Sequence, residues 1–589
     1  MKRLEPPSLK PFIDYLGLDT ETVLGYCRLL CLSDGRFFYV KNLNDVMDFF
    51  GSFFKVRKSI FLAWNADFDI QALIKYFPKN ALDSLMKGIE IIYDFPNGKT
   101  MSFQYVRGKF LQFDGNYIFD ACQYYACSLK DAALKYLPED QQKGDVDASE
   151  ISEENIESES VREYCVQDAL LALKLFLRFH NALPEVLKRV KPISNAFYSF
   201  NYFRSELRRN HARIDVNKFF RNAYHGGRFE IFEKGHFKPR NGLFVYDINS
   251  AYPFEISKLR TLESCHHLQL SSYVSEAAYS VYNIRVEIND KFVSPLLVQD
   301  KGLCIYPTGH FEGWITKGEF ERIQCYDPEI LQGFHIYAGR DTPFKNKVAA
   351  LYERKKTSGF PLPFKIILNS LYGKTAQATP KYVRPEELAE PTEVIDFVDS
   401  DGVSYVKFED ISKSNFVYAS EITARTRLRL YDIVKANPKD VVMIQTDSVI
   451  STRPLDLPMS GELGAWKLEK WEEAYLIGSG VYFYKRDGVW YGKFRGFNFK
   501  ADKVKTILQT ILKAKTPRVT FKVKKRYSIQ EAARLHDEEV GNQILEVARN
   551  LNINFDRKRI WESSWKSGQE IGRKRIKSLA VFATKGLTL

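Results

Sequence analysis

Apolar, strand-like runs that end in carboxylates recur along this chain. LGL runs into Asp19-Thr20-Glu21, FLAW into Asn65-Ala66-Asp67-Phe68-Asp69, LFVY into Asp247-Ile248-Asn249-Ser250, and VVMI into Gln445-Thr446-Asp447-Ser448. A carboxylate at the end of a buried strand needs water, a cation or a ligand, because an unpaired buried charge is costly. Around these tips, YLGLDTETVLGYCRLLCL and RFFYV read as strands and residues 161–179 as a helix. Strand and helix alternate, so the first 190 or so residues are expected to be an α/β domain. A length of 589 residues predicts several domains, and 45% hydrophobic residues suffice for packed cores.

Period-2 geometry puts Asp19 and Glu21 on one side of their strand, where they repel unless something positive lies between them. Tyr164 and Asp168, at i and i+4, share a helical face. Asp19, Glu21, Asp69 and Asp168 could together hold two Mg²⁺ or Mn²⁺ ions about 3.5–4 Å apart, clamping a phosphodiester, with Tyr164 orienting the attacking water. Each piece alone reads more simply as a surface turn, a helix cap at Asp69, or a core aromatic, since short acidic motifs recur by chance. Their order shifts that reading. D-x-E, N-x-x-F-D and Y-x-x-x-D in succession resemble the three motifs of RNase H-like 3′–5′ exonucleases, in particular the proofreading domain of family B DNA polymerases. The resemblance implies single-strand contacts for Thr22, Asn65, Phe68, Ser128 and Leu129. It also implies a catalytic-site role for Lys143, which otherwise reads as a solvated residue of the acidic, Ser-rich stretch 139–159.

In the larger part of the chain, Lys365, Asn369 and Tyr372 fall at i, i+4 and i+7, with Gly373 beside them, on a helix expected to begin after the Pro361/Pro363 breaks. A cation, an amide and an aromatic on one stripe suit a nucleotide. The preceding helix would fold back through Ser358-Gly359 and bring Arg354 and Lys356 to the phosphates. On periodicity alone an amphipathic helix with a solvated basic face is the plainer reading. In order, D-x-x-S-x-Y-P, K-x-x-x-N-S-x-Y-G and T-D-S are similar to the three polymerase motifs of family B. That similarity implies that Asp247, Asp447 and the Ile248 carbonyl bind two catalytic metals, and that Tyr252 is the steric gate against ribonucleotides. It further implies that Tyr224, Gly226 and Gly227 of a Y-x-G-G segment bind template, and that Thr446 and Tyr482 contact DNA. Two positions depart from the pattern. Gln445 stands where the family usually has Asp, and Gly480 stands where a K-x-Y motif has Lys, leaving Lys485 or Lys493 to supply that charge.

The implied fold is α/β and α+β multidomain. It comprises an RNase H-like 3′–5′ exonuclease (1–190) and a right-hand polymerase with palm (191–259 and 416–500), fingers (344–377) and thumb (501–589). Two insertions, 260–343 and 378–415, sit where protein-primed polymerases of phages and linear plasmids carry their terminal-protein regions; the second holds a hairpin signal around Asp401-Gly402. The resemblance implies a monomeric, strand-displacing replicase with two Mg²⁺ or Mn²⁺ at each active site, acting on template-primer DNA and dNTPs with a terminal protein as primer. The alternatives are a primer-dependent viral or plasmid polymerase without terminal protein, and a nuclease with an impaired polymerase body.

The formal charge is +13, and residues 501–589 hold 20 Lys and Arg against 9 Asp and Glu, a local +11. In a right-hand polymerase this is the thumb, so its cations are expected to track duplex phosphates. Eight cysteines include no C-x-x-C pair, which excludes a zinc ribbon or iron–sulfur cluster. No apolar run reaches membrane-spanning length and the N-terminus lacks a secretory signal, so a cytoplasmic protein is expected.

Overall fold

The computed structural model describes residues 14–53, 58–94, 100–144, 150–300, 302–388, 394–399, 402–496, 499 and 501–584. The N-terminal sheet has eight strands. Asp14–Val23 is central, flanked on one side by antiparallel Tyr26–Leu32 and Phe37–Tyr39. On its other side Ser59–Ala63 and Asn116–Asp120 run parallel to it, and an antiparallel meander completes the sheet. This is the RNase H-like pattern. Helix Glu159–Asn181 crosses the central strand at Gly17, where a Cβ would lie 1.8 Å from the Ala169 carbonyl oxygen. The missing side chain is what lets Asp168 reach the strand that carries Asp19.

A second sheet, five antiparallel strands, forms the palm. Its order is Trp466–Trp471, Leu243–Ile248, Ser448–Ser451, Val441–Gln445, Phe229–Ile231. Leu243–Ile248 is an inner strand because LFVY is apolar on both faces, and the register sets Asp247 opposite both Ser448 and Lys467. Helices Lys345–Thr357 and Leu362–Thr375 form the antiparallel fingers pair, with Pro363 inside the first turn of the second, where no backbone donor is required. Residues 260–343 build their own sheet around Tyr279–Ile288, between Thr308–Thr316 and Glu329–Tyr337. In the second insertion Phe397–Val398 pairs with Ser404–Asp410 in a register centred on Asp401, which itself lies outside the described residues.

The basic C-terminal segment does not stand apart as one unit. Arg518–Arg526 and Ile544–Asn552 form a long antiparallel ribbon, but Ile576–Leu579 returns to pair with Glu233–Phe237. Phe582–Ala583 then joins Thr308–Gly309 of the first insertion. Several cations counted as phosphate trackers are therefore internal. Arg559 and Arg228 share Glu230 in a buried triad, and Lys558 donates to the Phe229 carbonyl. On the ribbon, Arg518, Lys522 and Lys524 do share one exposed face.

Candidate active sites

The first site gathers at the end of the central N-terminal strand. Ligand atoms of Asp19, Glu21 and Cys165 lie within 4.8 Å of one another. Asp69 is buried on the neighbouring helix Ala66–Ile74 and accepts from Thr20 Oγ1 at 2.7 Å. It does not cap that helix; Asp120 does, accepting from the Asn65 and Ala66 amides. Asp168 completes the cluster, ion-paired with Lys143, whose ammonium also lies 4.7 Å from the Tyr164 ring centroid. Lys143 is thus not a solvated loop residue. Burial pushes all four carboxyls up: Asp69 to about 7, Glu21 to about 8 with Asp168 adding repulsion, and Asp19 well above its usual range, opposed by Glu21, Asp168 and Asp69. One lysine does not balance four carboxylates, and among the described residues Asp168 Oδ1 is buried without a hydrogen-bond partner. The four carboxylates offer only oxygen ligands and are short of positive charge, which fits hard divalent cations; the Cys165 thiol beside them is protonated, its acidity suppressed by burial.

Of the residues expected to touch a single strand, Asn65 is exposed with a left-handed backbone (φ 65°), and Phe68 and Thr22 are half-buried. Ser128 caps helix Leu129–Tyr136 and opens on a cleft of about 910 Å³ shared with Phe229, Gly480, Lys493, Arg495 and Lys558. Leu129 is placed in the core, 6% exposed.

The second site sits on the palm. Asp247 accepts from Ser448 Oγ at 2.6 Å and pairs with Lys467 at 2.9 Å. Asp447 occupies the two-residue turn between Gln445 and Ser448, with Thr446 left-handed (φ 54°), and its carbonyl accepts from the Ile248 amide at 3.0 Å. Burial, then Asp247, raises Asp447 to about 6. These two carboxylates and the Ile248 segment fit a divalent pair on the same argument, with Lys467 as counter-charge.

Lys365 and Asn369 are exposed on the second fingers helix, and Tyr372 of that helix meets the palm, its ring 4.3 Å from that of Tyr252. Arg354 and Lys356 lie on the exposed side of the first fingers helix. Arg354 is exposed, and Lys356 pairs with Glu462 and Glu353. Lys355 turns inward instead, donating to Ser250 Oγ at 3.0 Å. The sequence carried the signal: Lys355 lies i+4 from Leu351 and i+3 from Tyr352, the buried face of that helix. The Y-x-G-G segment is held by Arg427, buried against Glu319, which donates to the His225 and Gly226 carbonyls. Tyr224 packs edge-on against Phe416. At Gly227 a Cβ would meet the Tyr252 hydroxyl at 2.7 Å. Gly480 has φ 88°, a backbone that disfavours Lys, and the Arg495 side chain packs over it. Lys493 is cross-strand from Tyr482, whereas Lys485 pairs with Glu472.

The family model described as DNA polymerase type B, organellar and viral, matches residues 147–426. Over that stretch, just under half of the chain, it is similar to type B DNA polymerases. Similar proteins include the DNA polymerase of Acidianus bottle-shaped virus, 25% identical over 434 residues, covering 68% of this chain and 60% of the relative. Another is the DNA-directed DNA polymerase of Enterobacteria phage PRD1, 25% identical over 291 residues, covering 45% and 50%. The chain thus spans about half to three-fifths of the length of these relatives. Among solved structures, Phi29 DNA polymerase matches with a TM-score of 0.64 at 16% identity, over 92% of this chain and all of that one. Its ternary complex with primer-template DNA and incoming nucleotide matches at 0.63 and 15% identity. The chain therefore shares the fold of Phi29 DNA polymerase over 92% of its length. Among the described residues no helix is long and apolar enough to cross a membrane.

Proposed function

We propose that this chain is a DNA-templated DNA polymerase with a 3′–5′ proofreading exonuclease, and that it works as a protein-primed, strand-displacing replicase. The observation that carries the reading is the pairing of two separate carboxylate sites, each lacking enough positive charge of its own, on an exonuclease sheet and a palm sheet. Bound divalent ions at each site supply charge neutralisation of the phosphate and activation of the attacking oxygen. The chain's own residues do the rest. Lys355 and Lys365 neutralise the incoming triphosphate, Tyr372 and Tyr252 wall the nucleotide, and Tyr252 excludes a 2′-hydroxyl. In the exonuclease, Tyr164 and Lys143 orient water against the phosphodiester while Asn65 and Phe68 grip the frayed end.

Strand displacement and protein priming rest on the two arms around the exonuclease. The Lys87 ammonium lies 3.7 Å from the Phe397 ring centroid of the second insertion, and Gln530 of the ribbon tip donates to the Met86 carbonyl. Both arms thus meet one corner of the exonuclease, an arrangement suited to enclosing a strand. The test is incubation with Mg²⁺, dNTPs and a primed single-stranded circle. Products longer than one circuit are expected, and failure to extend would overturn the reading. Addition of dAMP to a hydroxyl-bearing partner protein tests priming separately.

A further inference from the structure

The thumb ribbon ends against the backbone of the second exonuclease motif. Arg526, the last residue of its first strand, is largely buried between the two domains. Its Nη2 donates to the Asp67 carbonyl at 2.7 Å, Nη1 lies 3.4 Å from Asp67 Oδ2, and Nε donates to Asn542 Oδ1 at 2.9 Å. The guanidinium lies 5.2 Å from the Phe68 ring centroid. Asn542, on the returning arm, is left-handed (φ 62°) and donates to the Phe68 carbonyl at 3.1 Å and to the Gly25 carbonyl at 3.3 Å. Around this pair the tip is fastened independently. Lys75 donates to the Gly541 carbonyl at 2.6 Å, Ile529 enters the exonuclease core, and Lys79 pairs with Glu538 on the outside.

We propose that Arg526 is a positioning residue for the exonuclease, fixing Phe68 in the orientation that stacks on the unpaired 3′-terminal base of a single-stranded DNA. A planar guanidinium that binds the carbonyl preceding an aromatic and also lies against its ring defines both backbone and ring, which a lysine point charge does not. The inference rests on the proofreading reading of this site. It gives the duplex-gripping ribbon a direct structural hold on the motif that receives a frayed end, so ribbon and exonuclease act as one body.

The test measures binding apart from cleavage. A short oligonucleotide with 2-aminopurine at its 3′ end reports stacking of the terminal base in the absence of divalent ions, and Mg²⁺-dependent degradation is followed separately. Arg526→Gln is expected to weaken terminal-base stacking about tenfold and to raise KM for single-strand degradation, with kcat within twofold. Arg526→Lys is expected to rescue less than half of the loss. Phe68→Ala is expected to give the same loss, and the double variant no more than Phe68→Ala alone. Glu538→Ala, which loosens the outer latch only, is expected to leave both readouts unchanged. Multiplicative losses in the double variant would overturn the proposal, as would an equal loss in Glu538→Ala. Wild-type stacking without Mg²⁺-dependent degradation would instead overturn the proofreading reading while leaving the role of Arg526 measurable.

Discussion

Tyr482 donates its phenolic hydrogen bond to Gln445 Oε1 at 2.5 Å. Gln445 is the residue that replaces the first Asp of the last polymerase motif, and its amide oxygen holds the tyrosine of the primer-side motif. A neutral acceptor can do this without adding a third carboxylate beside Asp247 and Asp447. Gln445→Ala and Tyr482→Phe are each expected to raise KM for primed template several-fold, and together no more than either alone, as for a single shared interaction. Steady-state extension at varied primer-template checks this; additive losses contradict it.

The sugar gate proposed at Tyr252 depends on a neighbour as well. Since a Cβ at Gly227 would lie 2.7 Å from the Tyr252 hydroxyl and 3.0 Å from Thr446 Cγ2, the ring must move when one is added. Tyr252→Val is expected to raise the ratio of rNTP to dNTP kcat/KM at least tenfold, and Gly227→Ala to shift it the same way by less. Single-nucleotide incorporation with matched dCTP and CTP measures both.

Lys355 rather than its flanking cations should serve the triphosphate. Lys355→Ala is expected to raise KM for dNTP by about tenfold, the scale of one charge-assisted contact, while Arg354→Ala and Lys356→Ala stay within twofold.

The exonuclease carboxyls make the metal-free fold sensitive to pH. Asp69 and Glu21 hold protons up to about 7 and about 8 in the folded chain, whereas the unfolded chain releases them near their ordinary values. The folded state therefore binds more protons between those limits, so stability is full at low pH and is lost as pH rises towards 8. In EDTA the Tm of this domain is expected to fall from pH 5 to pH 8. Added Mn²⁺ should raise it more at pH 8 than at pH 5, and Asp69→Asn should flatten the dependence. A metal-induced shift independent of pH contradicts the assignment.

Much of this architecture was legible in short local patterns. Asp19, Glu21, Asp247 and Asp447 announce themselves as acids ending apolar strands, and Lys365, Asn369 and Tyr372 share one exposed helical stripe. What escaped depends on register and on distant pairing. Lys467 meets Asp247 only because two strands align across the palm, and Arg526 meets Phe68 only because a ribbon folds back over the exonuclease. The charge of residues 501–589 misled for the same reason: Arg559 looks like a surface cation until Glu230 and Arg228 close around it. Lys143 reads as solvated from its acidic surroundings alone; the family resemblance singled it out, and the structure pairs it with Asp168.

The proposal that two independent acid sites serve opposite reactions on one chain is open to a direct test. The direct measurement compares primer extension and single-strand degradation in wild type, Asp447→Ala, and Asp19→Ala combined with Asp69→Ala, all with Mg²⁺. Asp447→Ala is expected to lose incorporation while degradation persists, and the double variant to do the reverse. Persistent extension by Asp447→Ala, or loss of both activities in either variant with its fold intact, would contradict it.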